Sequence, residues 1–247
     1  MAGFAIAMLG LAGHTRARWW SGLAIGAGAG IGFLAKGVIG PAAIALACVL
    51  LPVLFVEWRS RAYARRLGEA ALVALPLVMG WPFALWLRDA GLLHEWFWNN
   101  NVGRFLGFSV AKLGAEAEPG FWPRTLPWFL FPVWLYAART FIRRRGIAWR
   151  LAGVQIGMAL ASIMLLVLLA SASGRAVYAL PLLPPFALIA AGEIAARDGR
   201  IARTLGAAAI ALAAVGAIAM WTVWAVLAGT GRVPAWTHLQ DQLPVPF

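Results

Sequence analysis

The chain has 247 residues, of which 62% are apolar and only 12% charged, and its mean hydropathy is +0.80. A soluble domain carries roughly 25% charged residues, so this composition, with several apolar runs near 20 residues, excludes a soluble globule, a disordered chain and a disulfide scaffold. The net charge of +12 does not mark a nucleic-acid binder, because the basic residues sit in short loops between apolar segments. Nucleic acid is therefore not an expected partner.

In chain order the apolar segments predict eight helices: 1–13, 20–35, 38–56, 68–87, 125–142, 151–170, 176–195 and 204–228. The second and third are separated only by Lys36-Gly37, which predicts a tight helical hairpin with a lysine at its turn. Within the second, Gly22, Gly26, Gly28, Gly30 and Gly32 invite close approach of neighbouring helices. Cys48, the single cysteine, lies in an apolar run and reads as a packing residue.

Lysine and arginine placement sets an orientation. One set of loops holds Arg16, Arg18, Arg59, Arg61, Arg65, Arg66, Arg139, Arg143, Arg144, Arg145, Arg150, Arg197, Arg200 and Arg203 against four acids. The alternate loops hold Lys36, Arg88, Arg104, Lys112, Arg124, Arg175 and Arg232 against five acids. The first set is expected in the cytoplasm and the second outside. The expected fold is thus all-α: a polytopic transmembrane bundle of about eight helices, plus an external interfacial helix over His94–Gly107. Its parts are N-terminal membrane helices in 1–88, an extracytoplasmic loop in 89–124, C-terminal membrane helices in 125–228 and an extracytoplasmic tail in 229–247. This orientation starts the chain outside, on a short helix without a basic n-region. Either that helix is a re-entrant stub or the reading frame is the C-terminal part of a longer protein; the second is the expectation.

Three groups on the outer side have chemistry to offer. Lys36 ends a glycine-rich helix, where it either snorkels to the surface or is caged for an anion. Arg175 opens a turn followed by Tyr178, Pro181, Pro184 and Pro185. It is either an ordinary interfacial residue or half of a phosphate clamp with Lys36. Asn99, Asn100, Asn101 and Arg104 lie among aromatic residues in the long loop, as a helix cap or as a surface for a sugar. His14, His94 and His238 lack metal-ligand spacing, and no metal is expected. Asp89, Glu95, Glu116 and Glu118 are external carboxylates of which none stands out as a base.

Gly32-Phe-Leu-Ala-Lys36-Gly37, Asn100-Asn-Val-Gly-Arg104-Phe105 and Gly174-Arg-Ala-Val-Tyr178-Ala-Leu-Pro181-Leu-Leu-Pro184 occur in that order. Together they resemble the C-terminal two thirds of polyprenyl-phosphate-dependent glycosyltransferases of the GT-C superfamily, nearest the group of aminoarabinose transferases and protein mannosyltransferase-like enzymes. The resemblance covers roughly residues 20–191. It implies a multi-pass protein of the bacterial inner membrane, a polyprenyl-phosphate-linked sugar as donor, a lipid or protein acceptor, and contact with membrane lipids. By the same resemblance Lys36, Arg175 and Tyr178 hold the donor phosphate, while Asn100, Asn101 and Arg104 shape the substrate site. Relatives often carry His–Asn or Glu–His, with a divalent ion, where this chain has Asn99-Asn100, so no cofactor is expected. The family's catalytic carboxylate lies in a loop upstream of the matching region, and no catalytic residue is assigned. Two other readings remain: a non-catalytic membrane module binding lipid phosphate or a partner, and a transporter.

Overall fold

The computed structural model describes residues 1–109, 118–195 and 200–230, and all secondary structure among them is helical. It divides into two compact units, Met1–Ala196 and Arg197–Phe247. In the first unit α1 (Ala2–His14), α2 (Ser21–Lys36), α3 (Ile39–Leu54) and α4 (Arg61–Arg88) follow the expected segments. A helical stretch then runs through α5 (Ala90–His94), a π-helical segment (Glu95–Gly103) and α6 (Arg104–Leu106). After it come α7 (Phe121–Phe129), α8 (Val133–Arg144), a 3-10 turn (Arg145–Arg150) and α9 (Ala152–Ala170). A 3-10 segment (Ala176–Leu182) and α10 (Leu183–Ala195) close the unit. In the second unit α11 (Arg200–Thr230) presents Ile210, Ile218, Trp221 and Trp224 as exposed apolar side chains.

Three helical segments are long and apolar enough to cross a membrane: Arg61–Arg88, Ala152–Ala170 and Ala176–Glu193. This is a membrane protein. The α4 helix makes the physical case: its 28 residues rise about 42 Å. Only Tyr63 and Ala70 of it are buried, while Leu72, Leu75, Met79 and Phe83 are exposed. An unpartnered apolar face of this length suits acyl chains. By contrast α1, α2 and α3 have 13, 16 and 16 residues, which at 1.5 Å per residue falls short of the roughly 30 Å of hydrocarbon.

Two expected single helices are broken. The segment 125–142 is divided between α7 and α8, because Leu130, Phe131 and Pro132 leave the helix. Proline restricts the residue before it and supplies no N–H. The indole of Trp134 donates to the carbonyl of Pro127 at 3.1 Å across the break. The segment 176–195 opens as a 3-10 turn around Pro181 before α10 takes over.

The core lies between α1, α2, α3, α9 and α10, around Leu11, Ile44, Leu51, Ile156, Leu160 and Leu182. The glycines of α2 bring its neighbours close. A Cβ on Gly22 or Gly30 would strike α4 at Glu69 or Leu77, and one on Gly28 would strike α1 at Gly3 and Ala7. Spacing of four and eight residues puts Gly22, Gly26 and Gly30 on one face, so α2 sits pinched between α1 and α4.

The bundle has two distinct ends. At one, His14, Trp58 and Tyr63 form an aromatic cluster with centroids 5.0–5.8 Å apart. There the Trp58 indole donates to Gln155 at 2.7 Å, and the Gln155 amide donates to the Trp149 carbonyl at 2.9 Å. The α1–α2, α3–α4 and α8–α9 connections, with Arg16, Arg18, Arg59, Arg145 and Arg150, meet at this end. The α2–α3 turn, the π-helical segment and the α9–α10 connection meet at the other.

Candidate anion-binding site at the α2–α3 turn

The site begins with a turn that only glycine accommodates well. Gly37 has φ +77°, a conformation that side chains disfavour. A Cβ there would also strike the Asn101 side-chain oxygen. The turn ends α2 and holds Lys36 at its tip. The amide N–H of Val38 donates to Asn101 Oδ1 at 3.4 Å. Phe33, one turn before the tip, meets the ring of Trp96 edge-on at 5.6 Å.

The three adjacent asparagines have local work. Asn100 Nδ2 donates to the carbonyl of Glu95 at 3.1 Å and Asn101 Nδ2 to that of Trp96 at 2.8 Å, while Asn99 donates to the Glu95 carboxylate. These bonds run back four or five residues along the π-helical segment. Asn101 thereby ties the π-helical segment to the α2–α3 turn, and Asn100 is exposed.

Arg104 follows this segment. Its carbonyl accepts from the buried Ser173 hydroxyl at 3.0 Å, and the Phe105 carbonyl accepts from the Ala172 N–H at 3.0 Å. These bonds pin the loop to the α9–α10 connection. Arg104 Nε is buried with no hydrogen-bond partner, an arrangement that costs free energy unless another group completes it.

Arg175 and Tyr178 belong to that same connection. Lys36 Nζ lies 3.7 Å from the centroid of the Tyr178 ring, within cation–π range. The 3-10 segment returns the Tyr178 N–H to the Arg175 carbonyl at 2.9 Å and turns the ring towards Lys36. Arg104 and Arg175 are both near enough to act on the Lys36 charge. Among the described residues, none of the three cations forms a salt bridge. Lys36, Arg104, Arg175, Tyr178 and Asn101, more than 130 residues apart at the extremes, thus share one end of the bundle, and Asn100 lies on the same segment.

The external acids separate by position. Asp89 caps α5 by accepting from the Gly91 N–H at 2.7 Å, and Glu95 is engaged by Asn99. Glu118 lines a cavity of about 520 Å³ with Gly107, Trp122, Leu169, Ser171 and Ala172. Glu116, Lys112, Arg232, His238 and the tail beyond residue 230 lie outside the described residues. Where the resemblance implies a divalent ion, the Asn99 and Asn100 Nδ2 groups both donate to Glu95. The described residues contain no cluster of three or more His, Cys, Asp or Glu able to hold a metal.

Sequence reasoning placed Arg104 on the loop but gave no sign of its orphaned Nε, which depends on burial by a distant segment. Three cations that share one end, none of them in a salt bridge among the described residues, with the Tyr178 ring against Lys36, can receive an anion carrying more than one charge. No known protein family, curated protein or solved structure matches the chain.

Proposed function

We propose that this protein binds the phosphate of a polyprenyl-phosphate-linked sugar at the extracytoplasmic face of the bacterial inner membrane, as part of a GT-C-type glycosyltransferase. The single observation that carries the reading is the cation group: Lys36 on the Tyr178 ring, Arg104 tied by its carbonyl to Ser173 beside Arg175, and none of the three in a salt bridge among the described residues. In the proposed reaction an acceptor hydroxyl of a lipid or protein attacks the anomeric carbon and gives up its proton to water. The sugar–phosphate bond breaks, and the electron pair leaves on the phosphate oxygen. Fixed cations stabilise that developing charge without a general acid. A prenyl tail would lie along the apolar helices in contact with membrane lipids.

A second reading, a module that binds lipid phosphate without transferring sugar, is favoured by the engagement of Asp89 and Glu95 in local hydrogen bonds. One experiment addresses both. The full chain is placed in lipid nanodiscs, and binding of undecaprenyl phosphate is measured for the parent, Lys36→Ala and Arg175→Ala. Loss of one charge-assisted contact lowers affinity about tenfold or more. Unchanged affinity in both variants overturns the phosphate assignment. Binding by the parent, with no transfer from any undecaprenyl-phosphate sugar, selects the module.

A further inference from the structure

At the opposite end of the bundle, the connection between α8 and α9 is built as a rigid, charged and apolar corner. Glu193, 5% exposed, takes Arg139 at 3.2 Å and Arg143 at 3.4 Å. Arg144, Arg145 and Arg150 are exposed and have no carboxylate partner among the described residues. Ile142, Ile147 and Trp149 stand beside them at 73%, 66% and 46% exposure. The corner is fixed in place: the Trp149 ring packs on Phe141 at 5.2 Å, and its carbonyl is held by Gln155.

Arg145 is strained. It has φ +40° at the C-terminus of α8, where glycine is the favoured residue. Gly146, immediately after it, does not occupy that position. An arginine held in a glycine conformation has a reason other than local backbone preference.

We propose that Arg144, Arg145 and Arg150 form a binding site for the headgroups of anionic phospholipids. Two features fix the occupant. Arg150 stands two residues before Ala152, the start of a membrane-spanning helix, so chain continuity sets the corner at the membrane surface. Exposed isoleucine and tryptophan between cations suit a layer of phosphates above acyl chains, whereas free phosphate or nucleic acid has no use for them. The site is independent of the proposed sugar-phosphate chemistry at the other end.

The test uses the full chain in nanodiscs of phosphatidylcholine with one quarter phosphatidylglycerol, followed by gentle extraction and mass spectrometry of retained lipid. Phosphatidylglycerol is expected to be enriched, and Arg144→Gln, Arg145→Gly or Arg150→Gln to lower the enrichment about fivefold each, the effect of one surface arginine on anionic lipid. Arg145→Gly carries the argument furthest, because it relieves the backbone: its thermal midpoint stays level or rises while lipid retention falls. Arg16→Gln and Arg61→Gln, at other turns of the same end, retain the parent enrichment. Equal loss in these two, full retention in Arg145→Gly, or displacement of the lipid by 10 mM inorganic phosphate (about that concentration being ample for a free-anion site) overturns the proposal.

Discussion

Replacing Gly28 by alanine tests whether close backbone approach holds α1 to α2. The new Cβ would lie 2.5 Å from the Ala7 nitrogen, 2.5 Å from the Gly3 oxygen and 2.9 Å from the Ala7 Cβ. None of these belongs to a flexible side chain, so α1 has to retreat by about 1 Å to reach ordinary contact distance. Overpacking of this kind costs about 1–3 kcal/mol. Against it stands a helix-propensity gain of about 0.5–1 kcal/mol for alanine over glycine. Gly32, on the same helix, supplies the reference, because a Cβ there meets nothing within 4 Å. Gly32→Ala receives the propensity gain alone, so the difference between the two variants isolates the packing cost. Equilibrium unfolding of both by denaturing detergent should place Gly28→Ala about 1–3 kcal/mol below Gly32→Ala. Equal stabilities, or a more stable Gly28→Ala, refute the close approach of α1 to α2.

Further outcomes follow from the buried groups. Gln155→Ala leaves the Trp58 indole N–H and the Trp149 carbonyl without their partner, at a cost of about 1–3 kcal/mol. The same unfolding assay measures it, and Trp58→Phe in that background should recover part of the loss. Cys48 is 5% exposed and sits against the core; a maleimide reagent should label it only after unfolding, as read by mass.

The hairpin was readable because its punctuation is chemical. Lys36 and Gly37 interrupt two apolar runs, and Gly37 takes the positive φ that ends α2. The glycine series was equally legible as a packing surface, although which neighbour each glycine meets depends on helix rotation. The division of 125–142 was harder to see. Apolar composition runs unbroken through Leu130, Phe131 and Pro132, and hydropathy does not register a missing N–H. The first two helices have the expected 13 and 16 residues, whereas the third stops at Leu54, short of the expected Val56. The local bonding of the asparagines was not legible either. Three amides among aromatics suggest a polar ligand, yet those of Asn99, Asn100 and Asn101 answer groups four or five residues back. Only the backbone geometry of the π-helical segment makes that visible.

The two ends of the bundle handle cations differently, and the difference is itself testable. At the arginine-rich end, Glu69 holds Arg65 and Arg66, and Glu193 holds Arg139 and Arg143. At the other, Lys36, Arg104 and Arg175 remain without acids among the described residues, while Asp89 and Glu95 serve the backbone and a neighbouring amide. Like charges held together repel, and the cation–π contact of Lys36 with Tyr178 offsets part of that by about 0.5–1 kcal/mol. Lys36→Met removes both effects at once, so the stability of the ligand-free protein should move by less than about 1 kcal/mol. A phosphate lipid at one hundred times its dissociation constant stabilises a binding protein by about 2.7 kcal/mol. Parent protein in detergent should therefore gain a thermal shift on addition of undecaprenyl phosphate, and Lys36→Met should lose it while melting near the parent's ligand-free midpoint. A lysine serving only as a surface anchor would leave that ligand-dependent shift intact, and such a result refutes its role in gripping the anion.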